Sequence, residues 1–423
     1  MSAAEFPAET ATTGEWVRQR NRFTERVTAD GSSGWTALPG RYHLVVSLAC
    51  PWAHRSLIVR RLLGLEHAIT LGVVDPLRDE RGWRFTLDPE GRDPVTGIRL
   101  LSEAYLASDP EFSGRYTVPA LIDVESGTIV SNDYHRLTLD FETEWQALHR
   151  PGAPDLYPVE LRTEIDEIDQ LVYRDVNNGV YRCGFATSQR AYERAFDALF
   201  RRLDQLSERL ERQRYLVGGT ITEADIRLFT TLVRFDAVYH GHFKCNRHKL
   251  TELPVLWAYA RDLFQTPGFG ETVNFEHIKN HYYRTHPAID PNGIVPAGPV
   301  SAEWHTVQET CKSVPEPSYC YAALAAPGGA VFPWRYPMPA GLVSPEFPAG
   351  LFTVPAQLSV DAAVADTRKT STRLGFHHPE LLQYGQYHTV LHKVTQGWEQ
   401  STTPHGRAAL GGSPFGTGTP PAD

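Results

Sequence analysis

Tyr42-His43-Leu44-Val45-Val46-Ser47-Leu48-Ala49-Cys50-Pro51-Trp52-Ala53-His54-Arg55 changes character at a single cysteine. Before it, residues 42–49 form an apolar run centred on β-branched Val45-Val46, which reads as a buried strand. After it, Pro51 suits a first helical turn, Leu57, Ile58, Leu62 and Leu63 supply an apolar face, and Gly64 closes the helix. Residues 68–74 repeat the strand pattern, so the three segments form a βαβ unit with a parallel strand pair. Further on, residues 117–123 and 128–131 flank the turn Val124-Glu125-Ser126-Gly127, a hairpin signal, and residues 132–148 read as a helix.

A βαβ unit, a hairpin and a closing helix spell a thioredoxin-like α/β domain over residues 41–150, preceded by an N-terminal extension of residues 1–40. After Pro151-Gly152-Ala153-Pro154 the pattern becomes helical. Tyr192, Phe196, Leu199, Leu203, Leu206 and Leu210 recur at spacings of three and four, the face of an amphipathic helix. Thr222 and Asp225 make a capping box, with Ile221 and Ile226 as its hydrophobic staple. Helical stretches at 254–264 and 270–286 complete an all-α domain over 151–299. From 300 to 403 the periodicity fades into Pro- and Gly-punctuated sequence, an irregular C-terminal insertion.

A chain of 423 residues has room for two or three domains. Its apolar runs are too short for a membrane span, and a net charge of −9 argues against a nucleic-acid partner held by phosphate neutralisation. The N-terminus lacks a basic cluster followed by an apolar block, so no export signal is expected. Cys50, Cys183, Cys245, Cys311 and Cys320 are odd in number and scattered, which fits a reducing compartment, the cytoplasm, rather than a disulfide framework.

Cys50 stands where the strand ends and the helix begins. Unpaired amides and the helix dipole favour a thiolate there, and such cysteines reach pKa values of roughly 3.5 to 7.5. Alanine occupies position 53, where a dithiol enzyme would carry a second cysteine. A mixed disulfide on Cys50 must therefore be resolved by an external thiol, so two small thiols are consumed per turnover. Pro119 within an apolar run is expected at an edge or a cis bend. In thioredoxin-like folds a cis-proline faces the helix-end cysteine, and the backbone of the residue before it, here Val118, pairs with the bound thiol.

Ala49-Cys50-Pro51-Trp52-Ala53-His54-Arg55, Gly82-Trp83-Arg84-Phe85, Thr117-Val118-Pro119, Asn178-Gly179-Val180-Tyr181-Arg182-Cys183-Gly184-Phe185-Ala186 and Arg234-Phe235-Asp236 with Tyr239-His240-Gly241-His242-Phe243-Lys244-Cys245-Asn246 together resemble the glutathionyl-hydroquinone reductases, the Xi class of glutathione transferases. The likeness runs from about residue 15 to 299 and resumes from Pro404-His405-Gly406-Arg407 to Gly416, so that residues 404–423 look like the family's closing tail. It implies a thiol-dependent reductase, a transferase with catalytic Cys50, that removes glutathione from hydroquinone adducts. Tyr181, Tyr239 and Tyr282 match the family's three tyrosines, which bind ring hydroxyls and donate protons. Trp83 and Arg115 match the positions that cover the tripeptide and engage a carboxylate. The family's glutamate and serine, which hold the γ-glutamyl group, are replaced here by Asp133 and Tyr134. Aspartate is shorter and the phenol larger, so another low-molecular-weight thiol, such as mycothiol, is an alternative cosubstrate to glutathione.

The family's homodimer is implied in the same way. His388 and His392, with His377 and His378 nearby, share metal-like spacing, but no carboxylate or cysteine completes a set, and no metal is expected. Two other readings stay open: a broader omega-like thiol transferase acting on mixed disulfides, and a noncatalytic thiol-binding protein.

Overall fold

In the computed structural model, residues 9–299, 301–305, 319–325 and 331–337 are described. Strand β1 (Tyr42–Val46) is buried along its whole length. It pairs in parallel with β2 (Ile69–Val73) on one side and antiparallel with β3 (Ala120–Asp123) on the other. The last strand, β4 (Ile129–Ser131), pairs antiparallel with β3 and gives the order β2-β1-β3-β4. Helix α1 (Pro51–Leu63) crosses from β1 to β2, and Gly64, at φ 70°, ends it by donating its N–H to the carbonyls of Arg60 and Arg61. All of α1 except Arg61 is buried, because α3 and α7 cover the faces that the sheet leaves.

Several elements differ from the sequence reading. β1 ends at Val46, and the chain turns through residues 47–49 with the Cys50 N–H on the Ser47 carbonyl. β3 begins after Pro119, which has no N–H to give a ladder. The helix expected over 132–148 is confined to α3 (Leu137–Thr143) and a 3₁₀ turn at Gln146–Leu148. Asn132 and Asp133 explain the late start, since their side chains accept backbone N–H groups of Phe23 and His135 and so compete with helical bonding. Helix α2 (Leu101–Ser108), between β2 and β3, has no counterpart in the sequence reading.

The remaining helices are α4 (Arg162–Val172), α5 (Gly179–Gly184), α6 (Gln189–Leu210), α7 (Glu223–Leu232), α8 (Pro254–Phe264) and α9 (Phe275–Thr285). π-helical turns at Tyr173–Asn177 and Phe235–Tyr239 lie between α4 and α5 and after α7. The α9 pattern was expected from residue 270, but a 3₁₀ turn at Gly270–Thr272 precedes it and the Asn274 side chain caps it. At the start of α7 the acid does most of the capping. Asp225 accepts both the N–H and the hydroxyl of Thr222, at 2.9 and 3.2 Å.

Met1–Trp304 forms one compact unit and His305–Asp423 a second. The thioredoxin-like and helical halves thus share the first unit, with Trp304 packed on Trp257, Phe264 and Phe275. In the second unit, inside the segment expected to be irregular, β5 (Tyr319–Ala325) and β6 (Val331–Pro337) pair as an antiparallel hairpin. The histidines at 377, 378, 388 and 392 and the tail from 404 lie outside the described residues.

Candidate active site

Cys50 is the N-cap of α1, in extended conformation (φ −79°, ψ 120°), and its carbonyl accepts the His54 N–H at 3.0 Å. Its thiol is partly exposed and donates to the Val118 carbonyl at 3.5 Å. The Val118–Pro119 bond is cis, as expected. The ionisation of Cys50 differs from the expectation of a lowered value. Burial pushes the thiol up, and the pull of the Ala53 and Trp52 amides and the charges of Arg234 and Arg18 does not offset it.

An open cleft joins the two halves at this sulfur, and a cleft between two halves is a common place for a small molecule to bind. Cys50, Trp83, Arg115, Val118, Tyr134, Tyr181 and Tyr282 all line it; Pro119, Asp133 and Tyr239 do not. Tyr239 nevertheless joins the cleft through hydrogen bonds. Its hydroxyl lies 3.0 Å from that of Tyr282, which lies 2.5 Å from that of Tyr181. Three tyrosines from α5, the second π turn and α9 thus form one chain of hydroxyls, all pushed above the ordinary phenol value by burial. Phe243 backs all three rings at 5.3–5.6 Å. It approaches so closely that a β-carbon at Gly184 would collide with its ring.

On the thiol side, Trp83 stacks on His281 at 5.1 Å. Arg115 holds the Glu9 carboxylate at 2.7 Å, while its backbone N–H and carbonyl bond the Gln19 side chain. Asp133 is turned to local work, accepting Asn21 and the His135 N–H. Tyr134 is buried with its ring 4.6 Å from Trp52 and its hydroxyl 3.4 Å from that of Tyr173.

The extension supplies site residues that the sequence reading passed over. Residues 9–28 run as a strap from the helical half, where Ser188 bonds the Thr13 carbonyl, to the sheet, where Thr24 bridges Ser131. Trp16 stacks on Tyr181 at 5.6 Å. Arg18 lies over Trp16, Trp52 and Tyr181 at 4.3–4.7 Å. The alternation of Trp16 and Arg18 was the available signal, because residues two apart share a face of extended chain. The cleft wall carries Arg18, Arg20, Arg78 and Arg115 but no carboxylate, an arrangement suited to an anionic ligand. Among the described residues no group of three His, Cys, Asp or Glu side chains is placed to hold a metal, and no helix is long and apolar enough to cross a membrane.

The sequence matches the N-terminal domain of glutathione S-transferases over residues 49–144 and their C-terminal domain over 189–262. It is 47% identical to the glutathionyl-hydroquinone reductase YqjG of Escherichia coli over 307 residues, 71% of this chain and 92% of that protein. The structure of YqjG with glutathione bound superposes with a TM-score of 0.63 at 49% identity, covering 66% of this chain and 93% of that one. A glutathione transferase from Gordonia bronchialis superposes with a TM-score of 0.67 at 60% identity, covering 67% and 88%. The Xi glutathione transferase of Phanerochaete chrysosporium gives 0.66 at 45%, covering 69% and 95%. With its sheet order, cis-proline, helix-end cysteine and linked tyrosines, this chain belongs to the glutathionyl-hydroquinone reductases, the Xi class of glutathione transferases.

Proposed function

We propose that the protein is a thiol-dependent reductase that frees hydroquinones from their thioether adducts, with Cys50 as nucleophile and glutathione as the thiol. The observation that carries this reading is the cleft itself, lined both by Cys50 and by Tyr181 and Tyr282, whose hydroxyls are hydrogen-bonded to each other. The thiolate attacks the adduct's sulfur. A sulfur–sulfur bond forms, the carbon–sulfur bond breaks, and its electron pair goes to the ring carbon, which takes a proton from Tyr181. Tyr282 and Tyr239, neutral because burial disfavours the phenolate, pass a proton along the chain to restore Tyr181. A second thiolate then attacks the mixed disulfide, releases the disulfide of the two small thiols and regenerates Cys50. The ring is reduced and two thiols are oxidised, so the electrons balance without another cofactor.

Trp83, Arg115 and the Val118 backbone, which precedes cis-Pro119, form the thiol side of this reading. The four arginines of the cleft suit the carboxylates of glutathione. A second reading, in which the thiol is mycothiol, is favoured by Asp133 being absorbed in local bonds and by Tyr134 filling the position of the family's serine. Mass spectrometry after incubation with glutathionyl- and mycothiyl-hydroquinones discriminates the two. A Cys50 adduct of glutathione mass supports the first, a mycothiol adduct alone supports the second, and no adduct on Cys50 removes the mechanism. A cytosolic homodimer belongs to the same reading, supported by the family likeness and by Cys50, Cys183 and Cys245 being free thiols. Light scattering in solution tests the dimer.

A further inference from the structure

Arg234, which follows α7, is fully buried, and the acceptors it meets are neutral. Its guanidinium donates to the carbonyls of Ala49, Leu48 and Thr230 at 2.8–3.1 Å and to His54 Nδ1 at 3.0 Å. Arginine can only donate, so His54 Nδ1 accepts, and that imidazole is neutral with its proton on Nε2, facing Thr272. Arg18 donates from Nε to the Asn178 side chain at 3.1 Å and lies against three aromatic rings, and its buried Nη2 meets no acceptor. Among the described residues neither arginine has a carboxylate within ion-pair distance. Arg227, equally buried, has both Glu223 and Asp169, at 2.7 and 3.2 Å. A buried charge without an opposite charge is costly, so fully buried Arg234, together with half-buried Arg18 in the cleft wall, calls for an anion.

The cleft offers few choices. Arg115 is already matched by Glu9, and Arg20 and Arg78 add positive charge to the wall. Tyr134, Tyr181 and Tyr282 are held neutral, because burial pushes their phenols up. His281 and His286 are neutral too, pushed down by burial. Cys50 carries the one thiol of the lining, the most acidic group left there apart from the phenols, and Arg234 grips the two carbonyls immediately before it. We propose that Arg18 and Arg234 are positioning residues that act as the built-in counter-charges of the Cys50 thiolate, one delivered by the N-terminal strap and the other by the end of α7. The proposal rests on Cys50 being the nucleophile.

The test follows iodoacetamide labelling of Cys50 against pH in the full-length, thiol-free protein, with the label located by peptide mass spectrometry. An opposite charge at close range moves an ionisation by ~1 to 3 units. R18M should therefore raise the labelling midpoint by about one unit, which is about tenfold slower labelling well below the midpoint. R18K should restore most of the shift, and R234Q, which keeps donors for the carbonyls, should raise the midpoint as R18M does. The high-pH plateau rate, which reports access, should stay the same. An unmoved midpoint in R18M overturns the proposal, as does an R18K shift equal to that of R18M or a loss confined to the plateau. If R234Q does not fold, R18M and R18K decide alone. No substrate is used, so this outcome is separate from that of Cys50→Ala, whose retained turnover would instead remove the reading on which the proposal rests.

Discussion

Cys50 shows how strongly one atom constrains the chemistry. Serine would preserve the N-cap and the contact with the Val118 carbonyl, but an alkoxide is far harder to form than a thiolate, even beside helix amides and guanidinium groups. Cys50→Ala is expected to abolish turnover and Cys50→Ser to leave at most a trace, both with melting temperatures close to that of the parent protein. Steady-state assay with glutathione and a glutathionyl-hydroquinone checks this. Tyr282 is the middle of the hydroxyl chain and Tyr239 its inner end. Tyr282→Phe should cut kcat by about 10²-fold, the scale of a lost proton donor, with KM changed far less. Tyr239→Phe leaves the Tyr181–Tyr282 bond intact and should cost clearly less. Equal losses would mean that the rings matter for packing and not for proton supply. The histidines nearby are poor candidates for that supply, because burial pushes His281 down to about 3 and His242 to about 4.

At the scale of elements, α1 and its flanking strands were readable because each follows a short-range rule: β-branched residues in a run, proline at the first helical turn, glycine at its end. The strap was not, since apart from the Trp16 and Arg18 alternation residues 9–28 are fixed by long-range partners such as Asn178, Arg115 and Asn132. The α7 cap lies between these cases. Thr222 and Asp225 were legible three residues apart, yet Asp225 also accepts the Leu216 N–H at 2.8 Å and the Tyr259 hydroxyl at 2.6 Å, partners 9 and 34 residues away. Burial pushes its carboxyl up to about 6 from 3.8, despite those bonds. The folded chain therefore holds this proton more tightly than the unfolded chain. The associated stability is complete below about pH 3.8 and is lost as pH rises through 6. A shift of this size corresponds to about 3 kcal/mol. Asp225→Asn should flatten that part of the profile, measured by urea unfolding between pH 4 and 7. An unchanged slope would show that the carboxylate stays ionised throughout.

For the molecule as a whole, every residue of the cleft lies in the first unit, Met1–Trp304. The sequence boundary at 299 followed the loss of helical periodicity, which is a local signal. Trp304 lies five residues beyond it, in a short 3₁₀ turn. The residue is 7% exposed, its ring is 4.7 Å from Trp257 and 5.2 Å from Phe264, and its carbonyl accepts the Gln265 side chain at 3.0 Å. No periodic pattern marks a single aromatic that docks on a helical unit already complete in sequence terms. Two shortened chains separate the boundaries. A chain ending at residue 305 keeps the tryptophan and should retain the parent kcat/KM. A chain ending at residue 299 loses it and uncovers Phe264 and Trp257, and should be less stable by about 3–5 kcal/mol, the range for deleting a buried tryptophan side chain. Since Trp257, Phe264 and Phe275 are not among the residues that line the cleft, the shorter chain should still label Cys50 when folded at low temperature. Equal urea midpoints for the two chains would return the boundary to 299, whereas loss of turnover in the longer one would assign residues 306–423 a part in the reaction.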